Sequence, residues 1–397
     1  MHKLIKIDEK IYAITIYDQK TRYFEGIWRI PEGITYNSYL YLGDEVNILF
    51  DTVKRDFSKE LIEAIRKVID PKDVDSVVIH HMEPDHTSGL KDFLEANKWS
   101  AEIWSHPLSL KMIKAFYKID VKFRNLKDLE TINIGDEEIR VIHTPWLHWP
   151  ETIMTYMLNR RILFSGDAFG GYSIPEETTD KILDEGYIRA IRKYLATVIG
   201  FYRPWIIKNI EKLDRLHIKP SIIAPAHGKI WVKDPVKIVE LYRSWAEAEP
   251  INNKIVVIYG TMYGGIENLV NEVVSRLSEK RFNVIVYSFN EEKWDCFGDI
   301  LGDILDSKLI IIASPVYEGK ILPHIEYLIN LMTRKTDSPK EVILISSYGW
   351  SKVGGKYISK LLEGSRFRVV DIIEYHVTHD PKILDRIVTT IDSKSEK

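Results

Sequence analysis

Along the chain the apolar positions fall into two styles. Up to about residue 250 the apolar runs are short and broken by turns: "YLYLGDEVNILFDT" reads as a hairpin bending at Gly43 and Asp44, and "EEIRVIHT" and "RRILFSGD" have the same character. Beyond "EAEPINNKIVVIYG" the runs become continuous, in "KIVVIYG", "FNVIVYSF", "SKLIIIASPV", "EVILISSYG" and "RVVDIIEYHV", each followed by an amphipathic helical pattern. Unbroken Val/Ile runs mark strands buried on both faces, so the second half is expected to be a parallel sheet covered by helices. The boundary is expected near Pro250, dividing the chain into 1–250 and 251–397.

Composition narrows the function classes. The 397 residues are 45% hydrophobic, enough for two cored domains. A net charge of -3 with no long single-sign run offers no footprint for nucleic acid. Cys296 is the one cysteine, which excludes an intramolecular disulfide, a thiolate zinc site and a cysteine-ligated iron centre. No stretch approaches the roughly 20 apolar residues that span a bilayer, so a cytoplasmic protein without membrane contact is expected.

Chemistry concentrates at "HHMEPDHTSG", residues 80–89, after the buried strand "DSVVIH". Pro84 argues against an uninterrupted helix through it. Three later runs also end in metal-capable groups: "EEIRVIHTPWLHWP" carries His148, "RILFSGDAFG" carries Asp167, and "SIIAPAHGKIW" carries His227. With His81, Glu83, Asp85 and His86 this makes seven ligands, too many for one ion. Two metals would divide them as two histidines and a carboxylate each, with Asp167 as the bridge. Two divalent ions, three carboxylates and a bridging hydroxide sum to about zero charge, and imidazole with carboxylate favours iron or manganese without excluding zinc. His80 and His143 lie on strands leading to these groups and are read as core residues, with a supporting contact to the ligands as the alternative.

The spacing His-x-Glu-x-Asp-His at 81–86, with "LHWPE", "SGDAFG", "PAHG" and the N-terminal "PEGITYNSYLYLGDEVNILFDTV", resembles the metallo-β-lactamase-like domain of the flavodiiron proteins, the A-type flavoproteins. The resemblance implies an αββα sandwich in which His81, Glu83 and His148 hold one iron, Asp85, His86 and His227 hold the other, and Asp167 bridges. In some members the counterpart of His86 is not a ligand. Hydrolases of the same superfold usually carry histidine where this chain has Glu83, which turns the expectation toward redox chemistry. The second half resembles the flavodoxin domain of the same family, with sheet order 2-1-3-4-5 and FMN at the strand ends.

Three loops would enclose the FMN. Thr261, Met262, Tyr263, Gly264, Gly265 and Ile266 form a turn that opens a helix, where backbone N–H groups can hold phosphate. Ser314, Pro315, Val316, Tyr317, Glu318 and Gly319 form the second loop, and Ser347, Tyr348, Gly349 and Trp350 the third. Aromatic side chains there can cover a flavin ring. The chain departs from the usual pattern at Gly265 and Ile266, where hydroxyl residues are common, and at Val316 and Glu318, where Thr and Asn are common. Thr261 and the backbone remain as phosphate donors, and a degenerate domain without flavin is the alternative.

The resemblance further implies reduction of dioxygen to water or of nitric oxide to nitrous oxide. Electrons would come from an external donor such as rubredoxin or a reduced deazaflavin. A head-to-tail homodimer, or a dimer of such dimers, would bring one protomer's flavin to its partner's irons. A binuclear zinc hydrolase with a degenerate flavodoxin-like domain is the alternative from another class, and a gas-binding redox sensor a third.

Overall fold

Residues 2–395 are described by the computed structural model. The chain forms two compact units, one up to Tyr194 and from Tyr202 to Arg243, the other from Leu195 to Phe201 and from Ser244 onward. The first unit contains two sheets. One has seven strands in the order His2–Asp8, Ile11–Asp18, Ile34–Leu42, Asn47–Phe50, Ser76–Ile79, Glu102–Ser105 and Phe123–Asn125, antiparallel through Asn47–Phe50 and parallel thereafter. The other has five, in the order Thr131–Asn133, Glu138–His143, Ile153–Met157, Ile162–Gly166 and Ile222–Pro225, with only the last pair parallel.

Alternation along the strands explains why the sheets face each other. Ile11, Ala13, Tyr39, Tyr41 and Ile48 of the first join Val141, Ile153, Met157 and Ile162 of the second in one buried cluster. Phe50 stacks on Phe164 with ring centroids 3.9 Å apart at its centre. The hairpin read at Gly43 forms as expected, with Leu42 paired to Asn47. A Cβ at Gly43 would lie 2.4 Å from the carbonyl oxygen of Val46, so only glycine permits the turn. The helix Ser58–Arg66 buries Leu61, Ala64 and Ile65 and packs on the first two strands. This is the expected β-lactamase-like sandwich.

The second unit is one parallel sheet, ordered Asn283–Phe289, Lys254–Gly260, Leu309–Tyr317, Glu341–Tyr348 and Arg368–His376, which is the 2-1-3-4-5 order expected. Its continuous apolar strands are covered on one face by Leu269, Val273 and Leu277 of the helix Glu267–Glu279 and by Ile387 and Ile391 of the helix Pro381–Ser395. Turns after the first, third and fourth strands in sequence lie at the carboxyl ends, where open α/β sheets bind ligands. The third strand pairs with a two-residue return, Lys320–Ile321, through a bend in which Glu318 and Gly319 both have positive φ. No helix among the described residues is long and apolar enough to cross a membrane.

Candidate metal centre

Four strand ends of the first unit deliver seven side chains to one place. After Ser76–Ile79 the chain passes through His80, His81 and Glu83 and then makes a single helical turn, Pro84–Thr87, with Pro84 at its first position. That turn points Asp85 and His86 back toward the cluster, and the Thr52 hydroxyl donates to the His86 carbonyl. Asp167 follows Gly166, whose positive φ of 58° turns the chain at the strand end. His227 follows Ile222–Pro225, and the Ala226 N–H donates to the Gly166 carbonyl, fastening the two ends together at 2.8 Å. His148 comes from the loop beyond Glu138–His143.

The donor atoms form two groups, His81, Glu83, His148 and Asp167 in one and Asp85, His86 and His227 in the other, each within 4.8 Å. Asp167 spans both: one oxygen lies 3.1 Å from His148 Nε2, the other 2.8 Å from His86 Nε2 and 3.5 Å from His227 Nε2. Glu83 lies 2.9 Å from His148 Nε2, and Asp85 3.3 Å from His227 Nε2. The most open of the seven side chains, Glu83, is 13% exposed.

Burial and mutual charge pull these groups in opposite directions. Burial lowers the His81 imidazole, but Asp167 and Glu83 more than reverse it and raise it to about 9. Burial resists ionisation of Asp167, yet the surrounding imidazoles hold it well below the usual carboxylate range, and Glu83 shifts the same way. His148 is raised well above its ordinary value against the pull of burial, and His227 is raised too.

Whether these residues fit metal ions can be tested on their hydrogen bonds. Both ring nitrogens of His81 and of His86, both oxygens of Asp85, one oxygen of Asp167 and Nε2 of His227 are buried without a hydrogen-bond partner among the described residues. Each such atom costs about 1–3 kcal/mol when nothing satisfies it. Orphans gathered in one cluster of imidazole and carboxylate donors are the arrangement a metal ion satisfies, and the residues fit.

Supporting contacts were not legible in the motifs. His227 places Nδ1 2.7 Å from the Thr35 carbonyl, which leaves Nε2 facing the cluster. The fully buried Glu151 accepts the N–H of Met82, between His81 and Glu83, at 2.9 Å. His80 is held by Asp51 at 2.6 Å and by Thr155 at 2.9 Å, so it braces the strand end beside His81. His143 instead faces Leu126 and His106, away from the seven groups in its contacts. Tyr194 is fully buried with its ring 5.7 Å from that of His227, and burial with the nearby Asp167 carboxylate raises its phenol well above its ordinary value. Glu151 stands within "HWPE" and had a local signal, as His80 did in "HHMEPDHTSG".

The loops of the second unit have another character. Tyr263 and Trp350 are 91% and 95% exposed, and Tyr317 is 36% exposed. Tyr348 lies 5.6 Å from His376, whose Nε2 faces the Gly349 carbonyl at 2.7 Å. Ser314 is turned inward, accepting the Leu322 N–H, and Ser347 is buried. These open aromatics fit a flat ring. The turn from Thr261 to Ile266 offers a phosphate dianion backbone donors but no counter-charge: the cavity beside it, about 210 Å³, is lined by Thr261, Tyr263, Gly264, Glu267, Asn290, Glu291 and Glu292, with no cationic side chain among its described lining.

A two-sheet β-lactamase-like unit with a buried histidine and carboxylate site, joined to a flavodoxin-like parallel sheet, defines a small class of redox proteins. Residues 34–228 match the family described as ODP family beta lactamase. The chain is 30% identical to a rubredoxin-oxygen oxidoreductase of Megalodesulfovibrio gigas, over 91% of this chain and 90% of that protein. It is 28% identical to a nitric oxide reductase of Moorella thermoacetica, over 93% and 92%. Among solved structures, a mutant flavo di-iron protein from Thermotoga maritima superposes with a TM-score of 0.92 at 33% identity, covering all of both chains. The chain belongs to the flavodiiron protein family.

Proposed function

We propose that this protein is an oxidoreductase that reduces dioxygen to water or nitric oxide to nitrous oxide at two irons, drawing electrons through a flavin in residues 251–397 from an external donor. The observation that carries the reading is the cluster of four imidazoles and three carboxylates in which buried atoms of His81, Asp85, His86, Asp167 and His227 lack hydrogen bonds among the described residues. His81, Glu83 and His148 would hold one iron, Asp85, His86 and His227 the other, and Asp167 would lie between them. The names of the relatives support the two gases as substrates and rubredoxin as donor; a reduced deazaflavin is the second donor class in the proposal. When bound, the irons and the flavin ring supply the electrons that no side chain here can store.

The chain's own groups do the remainder. The Thr35 carbonyl and Glu151 orient the ligands, fixing which nitrogen of His227 and which peptide faces of residues 81–83 point inward. Phe24 and Tyr36 pack their rings edge-on against His227, 5.9 and 5.7 Å away, and hold its ring in place. Tyr194 keeps its proton at neutral pH and holds it beside Asp167, as a proton donor to a reacting gas must. FMN is the flavin that the family resemblance supports. A head-to-tail homodimer and a cytoplasmic location complete the reading.

Elemental analysis and a visible spectrum of iron-supplemented protein, followed by gas uptake with reduced rubredoxin, test it. Two irons and one flavin per chain with consumption of either gas are expected. Two zincs that persist after iron supplementation, with ester turnover and no gas uptake, would overturn it. The zinc hydrolase alternative finds no support in the relatives reported above, both named as redox enzymes.

A further inference from the structure

We infer that the flavin site of the second unit selects an isoalloxazine with an uncharged ribityl tail, riboflavin in chemical class, over its phosphorylated form. The inference rests on the flavin reading above and concerns only the far end of the ligand. In a 2-1-3-4-5 sheet the tail of a bound flavin runs to the turn after the first strand, here residues 261–266 before the helix Glu267–Glu279. A phosphate dianion at that turn is held by hydroxyl and free backbone N–H donors and is disfavoured by carboxylates close to it.

The cavity at this turn has no cationic side chain in its described lining. Ile266 brings no hydroxyl, and the N–H groups of Thr261, Gly265 and Glu267 are already engaged by the carbonyls of Phe289, Met262 and Gly264, which leaves those of Met262, Tyr263, Gly264 and Ile266 as the backbone donors. Carboxylates line the cavity instead. Glu267 is held there by the Tyr259 hydroxyl at 3.0 Å, and Glu291 and Glu292 come from the loop after the neighbouring strand. The adjacent Lys293 is turned to Asp295, 3.2 Å away. A dianion placed here meets three like charges.

A second observation points to a ligand that donates hydrogen bonds. Thr261 is 93% buried by its 7% exposure, lines the cavity, and its Oγ1 has no hydrogen-bond partner among the described residues. Ribityl hydroxyls can donate to Glu267, Glu291 and the Asn290 carbonyl, and can accept from or donate to Thr261 Oγ1. A bridging divalent cation is a poorer answer, because these carboxylates do not gather into a metal-holding group among the described residues.

The test is a fluorescence titration of the full-length protein, stripped of flavin, with riboflavin and with FMN. Riboflavin is expected to bind at least as tightly as FMN, and added salt to improve FMN relative to riboflavin by screening the carboxylates. Glu291→Gln with Glu292→Gln is expected to tighten FMN roughly fivefold per charge removed while leaving riboflavin within about twofold. FMN binding more tightly than riboflavin to the unaltered chain, with or without magnesium, overturns the inference and leaves the flavin reading standing. Binding of neither at micromolar flavin overturns both.

Discussion

The candidate metal cluster of the first unit and the loops proposed to hold flavin in the second are both built at the carboxyl ends of strands, yet they leave opposite things open. In the cluster the side chains are buried and several of their donor atoms, among them both ring nitrogens of His81 and one oxygen of Asp167, lack hydrogen-bond partners among the described residues: Asp167 and His81 are each 1% exposed. In the loops the aromatic side chains Tyr263 and Trp350 stand in solvent, while the strand beneath is fully buried. The difference teaches which ligand each region waits for. A cluster of desolvated charges is stable only with counter-charge at short range, whereas exposed rings are stable alone and gain modestly when covered.

The strongest way to break that contrast is to remove the group shared by both halves of the cluster. Asp167→Asn keeps the volume and removes the charge that faces His86, His148 and His227. Since loss of a mere outer partner costs 10–100-fold in metal affinity or activity, gas reduction is expected to fall at least ~100-fold. Metal content should drop below two per chain by elemental analysis with flavin unchanged, whereas retention of both metals would show the bridge to be dispensable.

A pH series on metal-free protein sharpens the same point. His81 titrates near 9 in the fold against an ordinary 6.5, so its stabilising charge is fully present below about 6.5 and is lost as pH rises through 9. Glu83 and Asp167 are shifted down from 4.5 and 3.8, so their contribution is present above those values and is lost as pH falls below them. Metal-free protein is therefore expected to be most stable between about pH 4.5 and 6.5, and His81 alone is worth on the order of 3 kcal/mol across the alkaline flank. Thermal unfolding with and without metal measures it: the metal-free melting temperature should fall between pH 7 and 9.5 while the loaded protein holds.

Glu151→Ala probes the support rather than the ligands. It strands the Met82 N–H in a buried place and is expected to cost about 1–3 kcal/mol in denaturant unfolding and about tenfold in metal affinity. An unchanged metal affinity would reduce Glu151 to a packing residue. The smallest effect belongs to the open region: Trp350→Ala should weaken flavin binding by about 1 kcal/mol, roughly fivefold, with metal content untouched. A loss of metal in that variant would erase the distinction between the two regions.

Much of this molecule was legible because its signals are local. Continuous Val/Ile runs announced the parallel sheet, and strands ending in histidine or acid announced the cluster. What stayed hidden was supplied from far along the chain. His227 and Thr35 are 192 residues apart, Met82 and Glu151 are 69, and Glu291 and Glu292 reach the turn at Thr261 from a different strand. A backbone carbonyl such as that of Thr35 has no residue identity to read at all.

By itself, then, the sequence determined which residues could carry chemistry and which strands would deliver them, because apolar periodicity and turn residues act over a few positions. The tertiary structure alone decided that Asp167 spans both groups, that Tyr194 stands beside it, and that acids rather than cations gather at the turn after Lys254–Gly260. Those facts depend on strand register and on which face of each sheet a loop crosses, and packing of distant segments sets both.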